Sequence, residues 1–316
     1  MKKSACLWGA VLALAACGDK GGPKLPASAS ATLRTDMFQA AASNGRLAVA
    51  VGGAAVVVTT VPGALQTRQV LPGTVALIDV ASCANGSFAA LDFYRAVWVA
   101  DAAASKWSAH KLAGGWRPLA ITCDPQNRLW VVGSGTTVTS SADGGATWQQ
   151  RDFKEDAMFN TVQFVDAEHG FITGEFGKIL RTADGGASWQ AAPAIAEDFY
   201  PYAALFTSER EGYVAGPEGA MLHTHDAGQS WSALENPGRA PQFGLARANK
   251  DIYAVGMGGA IKRLDGKRWV NLDHGPHAPA LLRAIAPAGK DSLLVGGAMG
   301  VIALVPADAR AANDQP

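Results

Sequence analysis

Three stretches of the chain align without gaps: VGSGTTVTSSADGGATW (132–148), TGEFGKILRTADGGASW (173–189) and AGPEGAMLHTHDAGQSW (215–231). A fourth, VGMGGAIKRLDGKRW (255–269), is two residues shorter, and degenerate copies occur at 91–107, near Val51–Thr67 and near Val295–Asp308. The tryptophans that end successive copies, from Trp107 to Trp269, are 41, 41, 42 and 38 residues apart. A period of about 40 residues built from short strands is typical of a β-propeller.

Each repeat divides into four short strands, so the sequence predicts an all-β propeller of four-stranded antiparallel blades. In the fourth unit the strands are expected at Asn160–Asp166, Gly170–Gly174, Lys178–Thr182 and Ser188–Ala192. Seven units are counted, at roughly 39–72, 73–113, 114–153, 154–195, 196–236, 237–273 and 274–308. The last unit has three strands, and Ala31–Met37 is predicted to supply the fourth and close the ring, which removes an exposed edge. Six blades remain an alternative because the first two repeats are weak.

The shared tail [ST]-x-D-x-G-x-[ST]-W resembles the Asp-box (BNR) repeat. At a hairpin tip, a short carboxylate accepts hydrogen bonds from backbone N–H groups that lack strand partners. Glycine permits the positive φ of such a turn, and the tryptophan packs beneath it. The motif is therefore interpreted as structural. Its residues are Asp143, Gly145, Trp148, Asp184, Gly186, Trp189, Asp226, Gly228, Trp231, Asp265 and Trp269.

The composition excludes several classes of protein. The 316 residues carry 27 Lys+Arg and 27 Asp+Glu, a balance that excludes a strongly basic nucleic-acid binder. With 48% hydrophobic residues the chain is not globally disordered. We expect a monomeric propeller that binds no nucleic acid and needs no cofactor.

The N-terminus has the features of a bacterial lipoprotein leader. Lys2 and Lys3 precede an apolar run, Leu7–Leu14, that is too short to cross a bilayer. The run ends in Leu-Ala-Ala-Cys, which resembles a lipobox and predicts lipidation of Cys17 after removal of residues 1–16. The residues 17–30 are predicted to form a lipidated tether, 31–310 the propeller and 311–316 a C-terminal tail. The implied location is the periplasmic side of a membrane, and Gly18 favours the outer membrane by the same resemblance.

Two cysteines remain in the predicted propeller, Cys83 and Cys123, 40 residues or one repeat apart. Both end a predicted innermost strand, and equivalent points on adjacent inner strands lie close together near a propeller axis. An oxidising periplasm favours a disulfide between them. Two buried free thiols are the alternative.

The two faces of the predicted disc differ in composition. The loops between first and second strands and between third and fourth strands have ordinary polar turn sequences, apart from the Asp-box tryptophans. The loops on the opposite face concentrate aromatic and charged side chains, the composition that protein interfaces favour. The predicted partner-binding residues are Phe93, Tyr94, Arg95, Trp116, Arg117, Phe153, Phe159, Phe176, Lys178, Phe199, Tyr200, Tyr202, Arg239 and Phe243.

Catalytic and metal sites are weakly indicated. Sialidases share the Asp-box motif, and their substrate carboxylate needs clustered arginines, for which Arg95, Arg117, Arg239 and Arg283 are the candidates. The Arg-Ile-Pro motif of that family is missing from the sequence, so no catalytic residue is predicted. His223 and His225 share one strand face and are interpreted as a surface pair, and the two histidines His274 and His277 in a connection loop are interpreted as a poor metal site.

The pattern G-x-x-G-x-[ILM]-x-[RH]-[ST]-x-D-x-G-x-[ST]-W fits Gly174–Trp189 and Gly216–Trp231. It resembles the photosystem II stability/assembly-factor family, whose members are seven-bladed propellers that help assemble membrane complexes. The resemblance covers most of residues 39–308 and implies a non-catalytic binding or assembly platform for a protein complex of the cell envelope. It does not imply a photosystem client. The alternatives are a carbohydrate-active enzyme and an accessory lipoprotein of an envelope transporter or outer-membrane assembly machine.

Overall fold

A computed structural model describes residues 32–60, 67–273, 280–309 and 311. In these ranges the strands form six four-stranded antiparallel sheets and one three-stranded sheet. The predicted all-β, seven-bladed propeller is thereby confirmed, and the six-bladed alternative is wrong. The predicted signal peptide, Cys17 and the tether lie outside the described residues.

The strands are numbered in chain order, and each blade runs from its inner to its outer strand. Blade 1 contains β1 (Phe38–Ser43), β2 (Ala48–Gly52), β3 (Val56–Thr60) and β4 (Thr67–Val70). Blade 2 contains β5 (Leu77–Ser82), β6 (Phe88–Asp92), β7 (Ala96–Ala100) and β8 (Trp107–Lys111). Blade 3 contains β9 (Pro118–Cys123), β10 (Leu129–Gly133), β11 (Thr137–Ser141) and β12 (Gln149–Asp152). Blade 4 contains β13 (Phe159–Phe164), β14 (Gly170–Gly174), β15 (Ile179–Thr182) and β16 (Gln190–Ala192).

The remaining blades follow the same plan. Blade 5 contains β17 (Ala203–Phe206), β18 (Gly212–Ala215), β19 (Met221–Thr224) and β20 (Ser232–Ala233). Blade 6 contains β21 (Gln242–Ala248), β22 (Asp251–Gly256), β23 (Ile261–Asp265) and β24 (Arg268–Asn271). Blade 7 contains β25 (Leu282–Pro287), β26 (Ser292–Gly297) and β27 (Ile302–Pro306). Short 3-10 turns occur at Glu175–Gly177, Pro217–Gly219, Pro237–Arg239, Met257–Gly259 and Ala298–Gly300.

The second strand of a blade is apolar on both faces because it is enclosed by two neighbouring blades. The sequences AVAVG of β2, LWVVG of β10 and GFITG of β14 are buried at every position. The outer strand β12, with the sequence QQRD, is exposed at every position. The core therefore consists of apolar layers between neighbouring blades, and the outer strands form a polar rim.

The ring closes through side-chain packing between blades 1 and 7. One buried cluster joins Phe38, Ala50 and Val58 of blade 1 to Ala284 and Leu294 of blade 7. This contact covers the flanks of both terminal blades, so the ring has no open gap at this point.

The predicted closing strand is not observed in the described residues 32–37. These residues form a turn in which the Asp36 carboxylate accepts a hydrogen bond from the Leu33 N–H at 2.8 Å and pairs with Arg68 at 2.9 Å. The turn touches the end of blade 7, where the Gly300 N–H donates to the Asp36 carbonyl at 2.8 Å. Among the described residues, blade 7 has three strands.

A glycine at the end of most second strands permits a tight backbone approach. A Cβ added to Gly133 would lie 2.0 Å from the Arg117 carbonyl oxygen, and one added to Gly297 would lie 2.0 Å from that of Leu281. At this point the inner strand carries a β-bulge, as between Phe159 and Thr161. The bulge sharpens the local bend where the chain passes from a connection into an inner strand.

The inner strands surround a central channel of about 360 Å³. Asp79 lies in its wall, where its carboxylate accepts hydrogen bonds from the N–H groups of Val80 and Ile121, each at 2.8 Å. Desolvation outweighs these bonds and raises the pKa of Asp79 to about 7. In the parts of the chain described above, no helix has the length and apolar composition needed to cross a bilayer.

Candidate functional site

Large exposed apolar side chains are concentrated on one face of the disc. We define the aromatic face as the loops between second and third strands together with the connections between blades. Among the described residues, Leu304 is the one exposed large apolar side chain away from this face or its border. The others are Leu33, Met37, Val70, Val75, Phe93, Tyr94, Phe176, Tyr200, Tyr202, Met257 and Met299.

A buried carboxylate positions Phe93 and Tyr94. Asp92, at the end of β6, is 2% exposed. Its Oδ1 accepts hydrogen bonds from the Tyr94 and Ala96 N–H groups at 2.8 Å, and its Oδ2 accepts one from Trp98 Nε1 at 3.1 Å. The buried carboxylate fixes the backbone of this loop, and the loop presents the rings of Phe93 and Tyr94 to solvent, 44% and 62% exposed.

The tip of blade 4 brings Phe176 against Tyr200. Phe176 has φ +60°, an uncommon conformation for a residue other than glycine, and its ring is exposed. The Gly177 N–H donates to the Phe199 carbonyl at 2.6 Å, which holds this tip against the connection to blade 5. The ring centroids of Phe176 and Tyr200 consequently lie 5.5 Å apart. A strained backbone that presents a large apolar side chain to solvent is typical of a functional loop.

Further aromatic–cation contacts lie on the same face. The Tyr202 and Phe243 centroids are 5.3 Å apart, and the Arg283 guanidinium lies 5.7 Å from the Phe243 centroid. Tyr202, Phe243 and Arg283 also line the central channel. The Arg117 guanidinium lies 4.9 Å from the Phe93 centroid. Aromatic rings with adjacent guanidinium groups are the side chains that dominate binding energy in protein interfaces.

The predicted partner-binding residues divide into three groups by burial. Seven are exposed: Phe93, Tyr94, Arg117, Phe176, Tyr200, Tyr202 and Arg239. Six are half-buried: Arg95, Trp116, Phe153, Lys178, Phe199 and Phe243. Phe159 is 1% exposed, and its placement on the binding face is wrong. It begins β13 and packs in the core between blades 3 and 4, with Phe153 against it at 6.1 Å between centroids.

Two methionines on this face were missed by the sequence analysis. Met257 and Met299 lie at the 3-10 turns of blades 6 and 7, in positions like those of Glu175 and Phe176, and are 49% and 44% exposed. The G-x-x-G spacing that they share with the turn of blade 4 could have revealed them. Counting only aromatic residues hid the contribution of these two turns.

On the opposite face, which we call the Asp-box face, the box carboxylates accept hydrogen bonds from their own turns. In blade 3, Ser141 Oγ donates to Asp143 Oδ1 at 2.8 Å and accepts from the Gly145 N–H at 2.8 Å. The Thr147 N–H donates to Asp143 Oδ1 at 2.9 Å, and the Thr147 hydroxyl donates to Oδ2 at 2.6 Å. Both carboxylate oxygens are thus occupied within the turn.

The boxes around Asp184 and Asp226 repeat this network with the same partners in the same positions. In all three boxes the hydroxyl and N–H of the Thr or Ser four residues after the Asp, with the first Ser or Thr of the box, lower the carboxyl pKa to about 2. A carboxylate held ionised by its own turn is suited to a structural role and poorly suited to proton transfer.

Blades 2 and 6 depart from the Asp box in different ways. Asp101 accepts from the N–H and hydroxyl of Ser105, both at 2.9 Å, so blade 2 retains part of the network that its sequence obscures. In blade 6, the strand register of β23 and β24 sets Asp265 opposite Arg268 across the hairpin. A turn shorter by two residues leaves no room for the box there, although Trp269 remains buried.

Cys83 and Cys123, at the ends of inner strands of adjacent blades, are joined by a disulfide with Cα atoms 5.0 Å apart. The four arginines considered for carboxylate recognition engage different partners. Arg95 donates to the Gly114 carbonyl and Arg239 pairs with Glu218 at 3.6 Å, whereas Arg117 and Arg283 lie over separate rings.

Comparisons with known proteins match the repeat region of the chain. The family model of the photosynthesis system II assembly factor YCF48 matches residues 152–244, less than a third of the chain. The chain resembles this assembly factor. A photosystem II assembly protein Ycf48 from Synechococcus sp. is 46% identical over 55 residues, which is 17% of this chain and 16% of that protein. A photosystem II assembly lipoprotein Ycf48 from Synechocystis sp. is 33% identical over 86 residues, 26% of this chain and 25% of that protein. These matches therefore span a quarter or less of the curated relatives.

Solved structures show the fold over a larger part of the chain. A structure of YCF48 bound to D1 peptide superposes with a TM-score of 0.70 at 14% identity, covering 88% of this chain and 96% of that one. YCF48 from Cyanidioschyzon merolae gives 0.68 at 16% identity, covering 90% and 97%. The GH74 enzyme of Niastella koreensis gives 0.65 at 16% identity, covering 88% of this chain and 44% of that one. Since enzymes and assembly factors share this fold, function must be argued from the faces.

Proposed function

We propose that the protein is a non-catalytic, lipid-anchored platform on which a protein complex of the bacterial cell envelope assembles, and that the aromatic face contacts the client. The observation that carries the proposal is the concentration on that face of the large exposed apolar side chains of the described residues. An apolar surface of this kind normally marks an interaction site.

The comparisons support a protein client. The curated relatives are named assembly proteins, and one structural neighbour is described as bound to a peptide. Our proposal takes the class of role, a binding platform for a protein, and leaves the client unnamed. The exposed rings and methionines suit apolar side chains of a partner, and Arg117 and Arg239 suit its carboxylates.

The proposal of a lipid anchor rests on a sequence motif and on the names of matched relatives. The Leu14-Ala15-Ala16-Cys17 motif predicts acylation of Cys17, and several matched relatives are named lipoproteins. A tether of about a dozen residues would hold the disc near the membrane that contains its client. The periplasmic side and the outer membrane are parts of this proposal.

The test is capture from detergent-solubilised envelope with the full chain and three variants. We expect wild type to retain a reproducible membrane-complex partner. The triple variant Tyr94→Ser, Phe176→Ser, Tyr200→Ser should lose at least about 100-fold in affinity, because interface aromatics are frequent hot spots. The matched control Arg46→Ser, Lys250→Ser, Lys290→Ser changes exposed loops of the Asp-box face and should capture normally.

Unchanged capture by the Tyr94/Phe176/Tyr200 variant, with its melting temperature also unchanged, would reject the aromatic face as the client site. A Cys17→Ser variant tests the anchor separately. It should leave the membrane fraction, and its retention there would contradict lipidation at this cysteine.

A further inference from the structure

A cluster of two imidazoles and one carboxylate lies on blade 5, on the Asp-box face. The antiparallel register of β18 and β19 pairs Gly212 with Thr224 and Tyr213 with His223. Continuing the register by one residue sets Glu211 opposite His225. Because side chains alternate along a strand, Glu211, His223 and His225 project from the same side of the sheet.

The ligand atoms of the three side chains lie close together. Glu211 Oε2 lies 2.7 Å from His223 Nε2, and Glu211 Oε1 lies 2.8 Å from His225 Nδ1. One ligand atom from each residue lies within 4.8 Å of the other two. A tetrahedral ion with bonds of roughly 2.1 Å separates its ligand atoms by about 3.4 Å, so a shift of under ~1 Å would admit the ion.

Neighbouring side chains fix the His223 imidazole, whereas the His225 imidazole is open to solvent. The Tyr213 ring stacks on His223 with centroids 4.5 Å apart and an interplanar angle of 3°, which sets the imidazole plane. The His223 side chain is 13% exposed, whereas that of His225 is 67% exposed. The cluster therefore has a packed inner ligand and an outer side open to water.

We propose that Glu211, His223 and His225 bind one divalent first-row transition ion such as Zn²⁺, with a fourth position open to solvent. Two imidazoles and one carboxylate suit Zn²⁺ and its neighbours and do not suit Mg²⁺, which prefers oxygen ligands. The bound ion would connect the loop before β18 to the end of β19. The sequence analysis interpreted the histidines as a surface pair and did not include Glu211, which lies twelve residues before His223.

The test measures metal binding to the full chain, purified in detergent without a polyhistidine tag and treated with chelator. Titration with Zn²⁺ should give one saturable site per chain, and Co²⁺ should give an absorption spectrum of imidazole and carboxylate ligands. Mg²⁺ should neither bind nor compete. Thermal unfolding provides a second readout, since a ligand of the folded state raises the melting temperature.

The variants decide the assignment. His225→Gln and Glu211→Gln should each weaken Zn²⁺ binding at least about tenfold and abolish the zinc-dependent rise in melting temperature. His169→Gln is the matched control, because His169 also contacts carboxylates, Asp166 at 2.9 Å and Glu209 at 3.3 Å, but has no second imidazole in that cluster. Absence of saturable binding, or equal affinity in His225→Gln and wild type, would overturn the proposal.

Discussion

The two faces of the disc use similar turns in opposite ways. On the Asp-box face, each carboxylate oxygen of Asp143 and its counterparts accepts bonds from its own turn, and the disulfide joins two blades at the same end of their inner strands. On the aromatic face, a buried carboxylate or a glycine holds the backbone from below, while large apolar side chains point to water. The box carboxylates are satisfied locally on one face, and large apolar side chains are exposed to solvent on the other.

The difference teaches that a repeat motif and a functional site can occupy opposite ends of the same strands. The Asp boxes are the most regular feature of the sequence, yet their geometry accounts for them as structural turns. The loops that differ from blade to blade carry the exposed rings. Substitutions on the Asp-box face should therefore change stability, and those on the aromatic face should change binding.

Loss of the disulfide should have the largest effect on stability. The double variant Cys83→Ser, Cys123→Ser opens a loop of 40 residues. The chain-entropy model then gives a decrease of about 4 kcal/mol in the free energy of unfolding. Denaturant unfolding of wild type, with and without reductant, measures the same quantity. A decrease under ~1 kcal/mol would show that blade packing alone holds blades 2 and 3 together.

A smaller loss of stability is expected from the substitution Gly186→Ala. Gly186 has φ +85°, and an added Cβ would lie 2.2 Å from the Trp130 ring of blade 3. Backbone strain and overpacking together should cost about 3 kcal/mol, and client binding should be unchanged. Gly144→Ala is the control. Gly144 has φ +72°, and an added Cβ would meet no atom within 4 Å, so we expect a loss of only about 1 kcal/mol in the free energy of unfolding. Equal losses in the two variants would mean that contact with Trp130 is unimportant.

Acid should destabilise the Asp-box face by a modest amount. The box carboxyls have a folded-state pKa of about 2, below the ordinary 3.8, so the ionised form favours folding. This stability is complete above about pH 4 and is lost as pH falls toward 2. In the variant Asp143→Asn, Asp184→Asn, Asp226→Asn, the denaturant concentration at the unfolding midpoint should change less with pH between pH 4 and 2 than it does in wild type.

The control for the acid experiment is Asp265→Asn, in the shortened hairpin of blade 6, which should keep the wild-type pH dependence. If the triple variant and wild type lose stability in parallel between pH 4 and 2, the box carboxylates do not stabilise the fold by staying ionised.

The sequence was sufficient for the architecture because tryptophan spacing and turn glycines are local and periodic. Strands of blade 4 were placed within two residues at their ends. Other features depend on contacts between distant residues. The segment before Phe38 forms a turn in which Asp36 pairs with Arg68, 32 residues away. Phe159 begins an inner strand at a bulge and packs in the core between blades 3 and 4, a position that aromatic content does not reveal.

The candidate sites show the same limit. The aromatic face was predicted from loop composition, but the neighbours that organise it, such as Asp92 beneath Tyr94, required coordinates. Glu211 joins His223 and His225 only through strand register. Sequence spacing identifies which loops share a face, whereas the pairing of particular side chains depends on register and on burial.

Site-specific photo-crosslinking tests most directly the claim that one face binds the client. A photoreactive residue at Phe176 or Tyr94 should form crosslinks to an envelope protein in cells, because both side chains are exposed on the aromatic face. The same residue at Arg46 or Lys250, on the Asp-box face, should form none above background. Crosslinks arising from Arg46 and Lys250 while Phe176 and Tyr94 remain silent would contradict the account.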